Sequence, residues 1–325
     1  MKTVSIIVPE NAVMAAIADP RYMFTTVNQF FKAAGNPEPF KVQLVGLTKE
    51  VKLNDGSFSI HPDRLMKDVK TSDLIIIPAI GGDIKKVIKD NSQYLPWIIE
   101  QYKQGAEVAS LCIGAFLLAS TGLLNGRQCS THWSFANEFR QMFPEVIMVD
   151  DKMMTDQNGL YSSGGANAYW NLLLYLVEKY TNRETAIMAS KYFVLEIGKR
   201  SQSSFIIFRG QKDHDDHEIK KAQEFIEEHF SEKITVDQLA DQFGIGRRSF
   251  ERRFKKSTGN TAVEYMQRVK MEAAKKQLEI GRKTVNEVMY EVGYTDTKAF
   301  RDVFKKIAGM SPVEYRNKYN KEPAV

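Results

Sequence analysis

The sequence is short of cysteine and of long apolar runs, and over one stretch it is short of acidic residues. Two cysteines, Cys112 and Cys129, in 325 residues cannot make a disulfide framework and suit a reducing compartment. The N-terminus has one lysine and then five mostly apolar residues, Val4 to Val8, too few for the core of a signal peptide. No run approaches the ~18 apolar residues that span a membrane. These shortages lead to the expectation of a cytoplasmic protein with no membrane partner.

Acidic residues are scarce between Gly244 and Met310, where sixteen Lys and Arg face eight Asp and Glu. That local +8 sits inside a whole-chain formal charge of +5, so the remainder carries −3. Segregated basic charge of this kind is the electrostatic footprint of a nucleic-acid partner. The chain is long for one domain and comfortable for two.

The same basic region says one thing twice. Thr235-Val236, Gly244, Phe254-Lys255-Lys256, Gly259 and Glu264-Tyr265 recur as Thr284-Val285, Gly293, Phe304-Lys305-Lys306, Gly309 and Glu314-Tyr315. The offset grows by one residue after the glycine, which a turn absorbs and a helix would not. Each copy opens on a capping box, Thr235-x-x-Gln238 or Thr284-x-x-Glu287, followed by apolar residues at helical spacing and a stop glycine. A second helix follows in each copy, with Phe250 and Phe254 inward in the first and Ala299, Phe300, Val303, Phe304 and Ile307 inward in the second. Arg248, Arg252 and Lys255 lie opposite the first apolar face, and Lys298, Arg301 and Lys305 opposite the second.

Two short helices around a glycine turn, the second with its charge outward, predict a helix-turn-helix unit that enters the major groove of double-stranded DNA. The candidate DNA contacts are Arg247, Arg248, Arg252, Lys255 and Lys256 in copy one and Thr297, Lys298, Arg301 and Lys305 in copy two. Asp296 and Asp302 dilute the second set. A helix from about Thr261 to Ile280, with Ala262, Tyr265, Met266, Val269 and Ala273 inward, joins the copies. The alternative is a small helical bundle with a solvated basic face.

Residues 218–320 resemble the AraC/XylS-type DNA-binding domain. The segment from Gly244 to Lys256 matches its first recognition segment, and Gly293-Tyr294 to Lys306 with Gly309 to Arg316 match its signature second half.

The first two hundred residues alternate strand and helix patterns. Strands are expected at Val4–Val8, Lys41–Leu47, Asp73–Pro78 and Ala106–Leu111, with a hairpin at Val51–Ile60 turning on Asn54-Asp55-Gly56. Helices are expected at about Pro20–Ala34, Tyr94–Gln104, Gly114–Ser120, Ala166–Tyr180 and Arg183–Lys199. The first of the two late helices is apolar on more than one face, which asks for cover from the sheet and from a second subunit. Such alternation means an α/β domain with a largely parallel sheet.

Cys112 stands where a strand passes directly into a helix, at the carboxyl end of a central strand. Open α/β sheets bind ligands there, and the helix N-terminus would lower the thiol pKa. Gly81-Gly82 ends the neighbouring strand and offers backbone N–H groups to the same cleft. Residues 1–190 resemble the class-I glutamine-amidotransferase-like superfamily of the PfpI/ThiJ type: Ser110 to Arg127 looks like its nucleophile elbow, Ser130-Thr131-His132-Trp133 like the histidine-bearing strand, and Tyr161 to Ala166 like its later strand-to-helix turn. Departures bear on activity. Ala16 stands four before Pro20, where catalytic members carry an acid; Ile113 follows the cysteine in place of glycine; and no histidine lies between His132 and His214.

Fold and organisation follow. A flavodoxin-like doubly wound sheet of amidase-like type, residues 1–200, serves as sensor and dimerisation domain. A linker over 201–217 leads to an all-α domain of two helix-turn-helix units over 218–320, and 321–325 is a tail. The candidate effector pocket is Gly81, Gly82, Cys112, Ile113 and His132, with no cofactor, metal or catalytic residue assigned. The resemblance implies a homodimer and a nitrogenous or amino-acid-like effector, and RNA polymerase is a further candidate partner. His214-Asp215-Asp216-His217 is read as polar, solvated linker in preference to metal ligands. Cys112 itself has three readings: a small buried hydrophobe kept at a tight turn, a redox or ligand sensor, and the nucleophile of a hydrolase or glyoxalase-like enzyme tethered to DNA.

Overall fold

Alternating side chains within each buried run determine which face of the sheet they cover. In the computed structural model, which describes residues 1–196 and 201–320, Val4, Ile6, Leu74 and Ile76 join one core, and Ile7, Ile75 and Ile77 the other. Apolar residues on both faces need helices on both faces, and the front unit supplies them. It runs β1 (Lys2–Ile7), α1 (Met14–Ala33), β2 (Phe40–Gly46), the hairpin β3 (Val51–Leu53) and β4 (Phe58–Ile60), then β5 (Arg64–Leu65) and β6 (Leu74–Ile77). There follow α2 (Ile84–Asp90), α3 (Tyr94–Lys103), β7 (Glu107–Ser110), α4 (Ala115–Ser120), β8 (Gln128–Cys129), α5 (Ala136–Met142) and β9 (Ile147–Met148). The unit closes with β10 (Met154–Asp156), β11 (Leu160–Ser163), α6 (Tyr169–Tyr180) and α7 (Arg183–Tyr192).

The main sheet has the order β10-β11-β7-β6-β1-β2-β5, parallel throughout except for the β10 edge. Its central five strands follow the flavodoxin-like winding, with the reversal between β1 and β6. Helices α1, α6 and α7 cover one face, and α2 to α5 the other.

Several boundaries move for physical reasons. Helix α1 starts six residues earlier than Pro20, which lies buried inside it; the proline removes one N–H without breaking the turn. Helix α7 stops at Tyr192, because Val194 takes φ +54°. Residues 197–199, expected to extend it, lie outside the described residues, as do position 200 and the tail. Within the chain, α6 is covered by α1, by α7 and by the sheet edge at β10 and β11.

Chain contacts divide after Gln202, giving a second unit from Ser203. Its helices are α8 (His217–Glu228), α9 (Val236–Gln242), α10 (Arg247–Thr258), α11 (Ala262–Ile280), α12 (Val285–Glu291), α13 (Thr297–Ala308) and α14 (Pro312–Tyr319). Both capping boxes form, at Thr235 and Thr284, and two more open α11 at Thr261 and α14 at Ser311. The turn between α12 and α13 holds the extra residue, so the inserted position is absorbed outside the helices.

Helix α11 belongs to both copies. Its first half packs Ala262 and Tyr265 with α8, α9 and α10, and its second half packs Met271, Ala274 and Leu278 with α12, α13 and α14. The inward row therefore shifts round the helix in the second half, where Ala273 is only half-buried. Tyr265 donates to Glu227 at the end of α8 (2.6 Å), and Tyr315 donates to Glu279 at the end of α11 (2.7 Å). One helix thus closes the first unit and opens the second.

Candidate functional site

The strand-to-helix junction at Cys112 is as tight as its sequence suggested. Cys112 takes φ +52°, a left-handed conformation that costs a residue with a Cβ roughly 1–2 kcal/mol and persists only where neighbours hold it. Its N–H donates to Ser163 Oγ (3.1 Å) at the end of β11, and its carbonyl accepts from Thr131 Oγ1 (2.9 Å). Two residues on, Gly114 packs so closely on β6 that a Cβ would collide with the Pro78 and Ile77 carbonyls. Ile113 is half-buried and touches both cores.

The elbow is built, but its sulfur is not activated. Cys112 is 4% exposed, and burial pushes its thiol up to about 11, outweighing the Ile113 N–H bond that favours the thiolate. The helix-terminus effect read from the sequence is therefore overturned: desolvation wins, beside an α4 of only six residues. Ala16, at the expected acidic position, is buried without a carboxylate, and the neighbouring Asp19 accepts from Tyr169 Oη at 2.6 Å. His132 is half-buried and its pKa is lowered by burial. Its Nδ1 accepts from the Ser134 N–H (3.2 Å), capping a short 3-10 turn, and among the described residues it has no bond to Cys112. At neutral pH the pair is thiol and neutral imidazole, a poor set for nucleophilic catalysis.

Gly81 and Gly82 follow β6, beside the sheet's switch point. The Gly81 N–H was expected to face the cleft, yet it donates to the Asn11 carbonyl (2.8 Å), because the segments after β1 and β6 pair through Ala12 and Ile80. Gly82 keeps a glycine conformation, φ +89°, before Asp83 caps α2. Sequence reasoning missed Gln202, which is buried with its Oε1 accepting from the Gly165 N–H at 2.8 Å. The His132 ring borders the same glycine: a Cβ on Gly165 would lie 3.5 Å from Gln202 Oε1 and 3.7 Å from His132 Cδ2. Nothing in the sequence around Gln202 signals this, since its partners are mostly backbone groups.

In the second unit, α10 carries its charge as predicted. Arg248, Arg252, Lys255 and Lys256 are exposed and, among the described residues, make no salt bridge, while Phe250 and Phe254 are buried beneath them. Arg247 is exposed but bonds Asp237 (2.9 Å) and sits 3.6 Å from Glu251. Arg253, counted from the sequence among the basic residues, faces the other way and makes two bonds to Asp216, the N-cap of α8. The reading of 214–217 as solvated linker is corrected accordingly: Asp216 is a structural clamp, and His214 Nε2 bonds Gln223 Oε1 (2.8 Å). On α13, Lys298, Arg301 and Lys305 are exposed and Thr297 is half-buried. Ala299 is exposed rather than inward, and Asp296 caps the helix by accepting from the Ala299 N–H (2.7 Å).

Comparison with known proteins divides the chain in the same way. The DJ-1/PfpI family matches residues 21–179, and a helix-turn-helix domain family matches residues 239–318. The HTH-type transcriptional regulator GbdR of Pseudomonas aeruginosa is 26% identical over 279 residues, covering 82% of this chain and 72% of its own. An isonitrile hydratase of Pseudomonas putida is 30% identical over 129 residues, covering 39% of this chain and 54% of its own. The crystal structure of an AraC family transcriptional regulator from Pseudomonas putida superposes with TM-score 0.50 at 18% identity, over 59% of this chain and all of that one. Front sheet and paired helix-turn-helix units together, the chain combines a DJ-1/PfpI-type domain with an AraC-type helix-turn-helix domain, and over most of its length it is similar to transcriptional regulators of that kind.

Proposed function

We propose that the protein is a sequence-specific transcriptional regulator whose 218–320 region grips double-stranded DNA and whose 1–200 region binds a small effector without turning it over. One observation carries the DNA half: four cations on one helix, Arg248, Arg252, Lys255 and Lys256, stand in solvent with no carboxylate among the described residues bonded to them, while Arg247 and Arg253 on the same helix are paired within the protein. Unpartnered charge held on a rigid helix is suited to phosphates and base edges. Arg248 and Arg252 are assigned to bases or the nearest phosphates, Lys255, Lys256 and Lys305 to backbone phosphate. GbdR, similar over most of its length, supports the reading as a regulator.

The effector half is supported by an elbow that keeps its strained backbone while its sulfur stays a thiol and its histidine has no acidic partner among the described residues. Gly82, Cys112, Ile113 and His132 line the proposed cleft, and a nitrogenous effector is the class to test first. We further propose a homodimer formed through the front domain.

Fluorescence anisotropy on an operator duplex tests the DNA reading. The logarithm of affinity should fall with log[salt] at roughly −0.9 per phosphate neutralised, and Arg252→Ala should weaken binding by about 1–3 kcal/mol. A flat salt response, or Arg252→Ala binding like the parent, would overturn it.

A further inference from the structure

The chain between the two units is held at both ends. At the front, Gln202 is 2% exposed and its amide is keyed into three loops. Oε1 accepts from the Gly165 N–H (2.8 Å), and Nε2 donates to the Asp150 carbonyl (2.9 Å) and the Thr131 carbonyl (3.1 Å), with the Lys152 carbonyl and Ser130 Oγ at 3.3 and 3.4 Å. Its own N–H donates to the Asp151 carbonyl (2.9 Å). The fit is close enough that a Cβ on Gly164 would lie 2.5 Å from Oε1. These loops also hold the elbow, since Thr131 bonds the Cys112 carbonyl and Ser163, beside Gly164, bonds its N–H.

Four residues later the chain is tied again, within the second unit. Lys275 Nζ donates to the Ile206 carbonyl (2.5 Å), and the Phe208 N–H donates to Glu272 Oε2 (3.1 Å). Glu272 and Lys275 are both buried and bonded to each other at 2.8 Å. A charge pair removed from water is costly unless every partner is in place, so this anchor is held firmly or not at all. Both residues lie on α11, the helix whose two halves support both helix-turn-helix cores. Only residues 203–205 separate the Gln202 anchor from Ile206.

We propose that Gln202 is the residue through which the state of the Cys112/His132 cleft reaches the DNA-binding unit, with residues 203–208 as the strap that carries it. This rests on the reading of that cleft as the effector site and of the second unit as a DNA binder. A ligand that moves Gly165 or the His132 loop must remake the Gln202 hydrogen bonds, and the strap is too short and too firmly tied on α11 to absorb the change by slack. Coupling of this kind is reciprocal, so DNA bound to the second unit must alter the loops around Gln202.

That reciprocity allows a test without the effector. Amide hydrogen exchange of peptides covering 130–132, 150–152 and 163–166 is followed in the full chain, with and without a saturating 40-base-pair duplex. Affinity for the duplex is measured separately by anisotropy. In the parent protein, DNA is expected to change exchange in these loops by about fivefold or more. Gln202→Ala should remove that change while leaving duplex affinity unaltered. Because Gln202→Ala could disturb folding, a second variant inserts four Gly-Ser residues between Gln202 and Ser203; it keeps both anchors and should also abolish the change. An unchanged DNA effect in either folded variant, or no DNA effect in a parent protein that binds the duplex, overturns the strap. A parent that fails to bind the duplex at low salt overturns the DNA reading itself and the proposal with it.

Discussion

Residues of one type divide here by what faces them. Six basic side chains lie between Arg247 and Lys256, and their spacing alone put Arg248 and Arg252 outward opposite Phe250 and Phe254. Spacing could not reveal that Arg253 meets Asp216, which comes from a helix 37 positions earlier. Cys112 shows the same limit. Its place at a strand-to-helix junction was legible, but its ionisation is decided by how thoroughly the surrounding core excludes water, and that needs the whole fold. With the thiol near 11, the thiolate fraction at pH 8 is about one in a thousand. Iodoacetamide should therefore modify native Cys112 on the order of a hundredfold more slowly than a free cysteine, and the deficit should vanish in denaturant. Mass spectrometry of the Cys112 peptide over time measures this; modification at the free-thiol rate would restore the nucleophile and redox readings.

Among elements, the two helix-turn-helix copies share a pattern but not an environment. Gly244 and Gly293 both take positive φ, +63° and +79°. A Cβ at Gly244 would meet open space, whereas at Gly293 it would collide with the Ser231 carbonyl. Gly244→Ala should cost roughly 1–2 kcal/mol, and Gly293→Ala about 2–5 kcal/mol because the clash adds to the strained backbone. Urea midpoints of the two variants compare them directly, and equal losses would mean that the close approach to Ser231 is not maintained in solution. Helix α10 is also clamped by Asp216. The Arg253 hydrogen bonds lower the Asp216 pKa, so this carboxylate stabilises the fold above its unfolded pKa, and the contribution is lost as pH falls through the folded value. Asp216→Asn preserves the cap and removes the charge. With both partners part-exposed, the loss at pH 7 should be at most about 1 kcal/mol, and it should shrink as pH falls below the ordinary aspartate range towards the lowered folded value. A difference that stayed constant from pH 7 to pH 3 would exclude the charge as its cause.

For the whole molecule, the shared helix α11 is the feature with the largest consequence. Because one rigid helix serves both copies, α10 and α13 are not independent, and major-groove sites on one face of a duplex recur every ~34 Å. If both helices engage, shortening an operator duplex from about 25 to about 10 base pairs should weaken binding at least about tenfold. Arg301→Ala should then matter on the long duplex and not on the short one; equal affinities would leave α13 as scaffold. The α/β order of the front half, the twin caps, the stop glycines and the outward basic rows were all readable from the amino-acid sequence, because each depends on residues within one or two helical turns or on a single buried run. The pairing of Arg253 with Asp216, the silencing of Cys112 by burial and the locking of Gln202 into loops far from it in sequence were decided only by tertiary structure. Each of these depends on which distant segments exclude water from, or offer a hydrogen bond to, the same point in space, and local sequence carries no record of that.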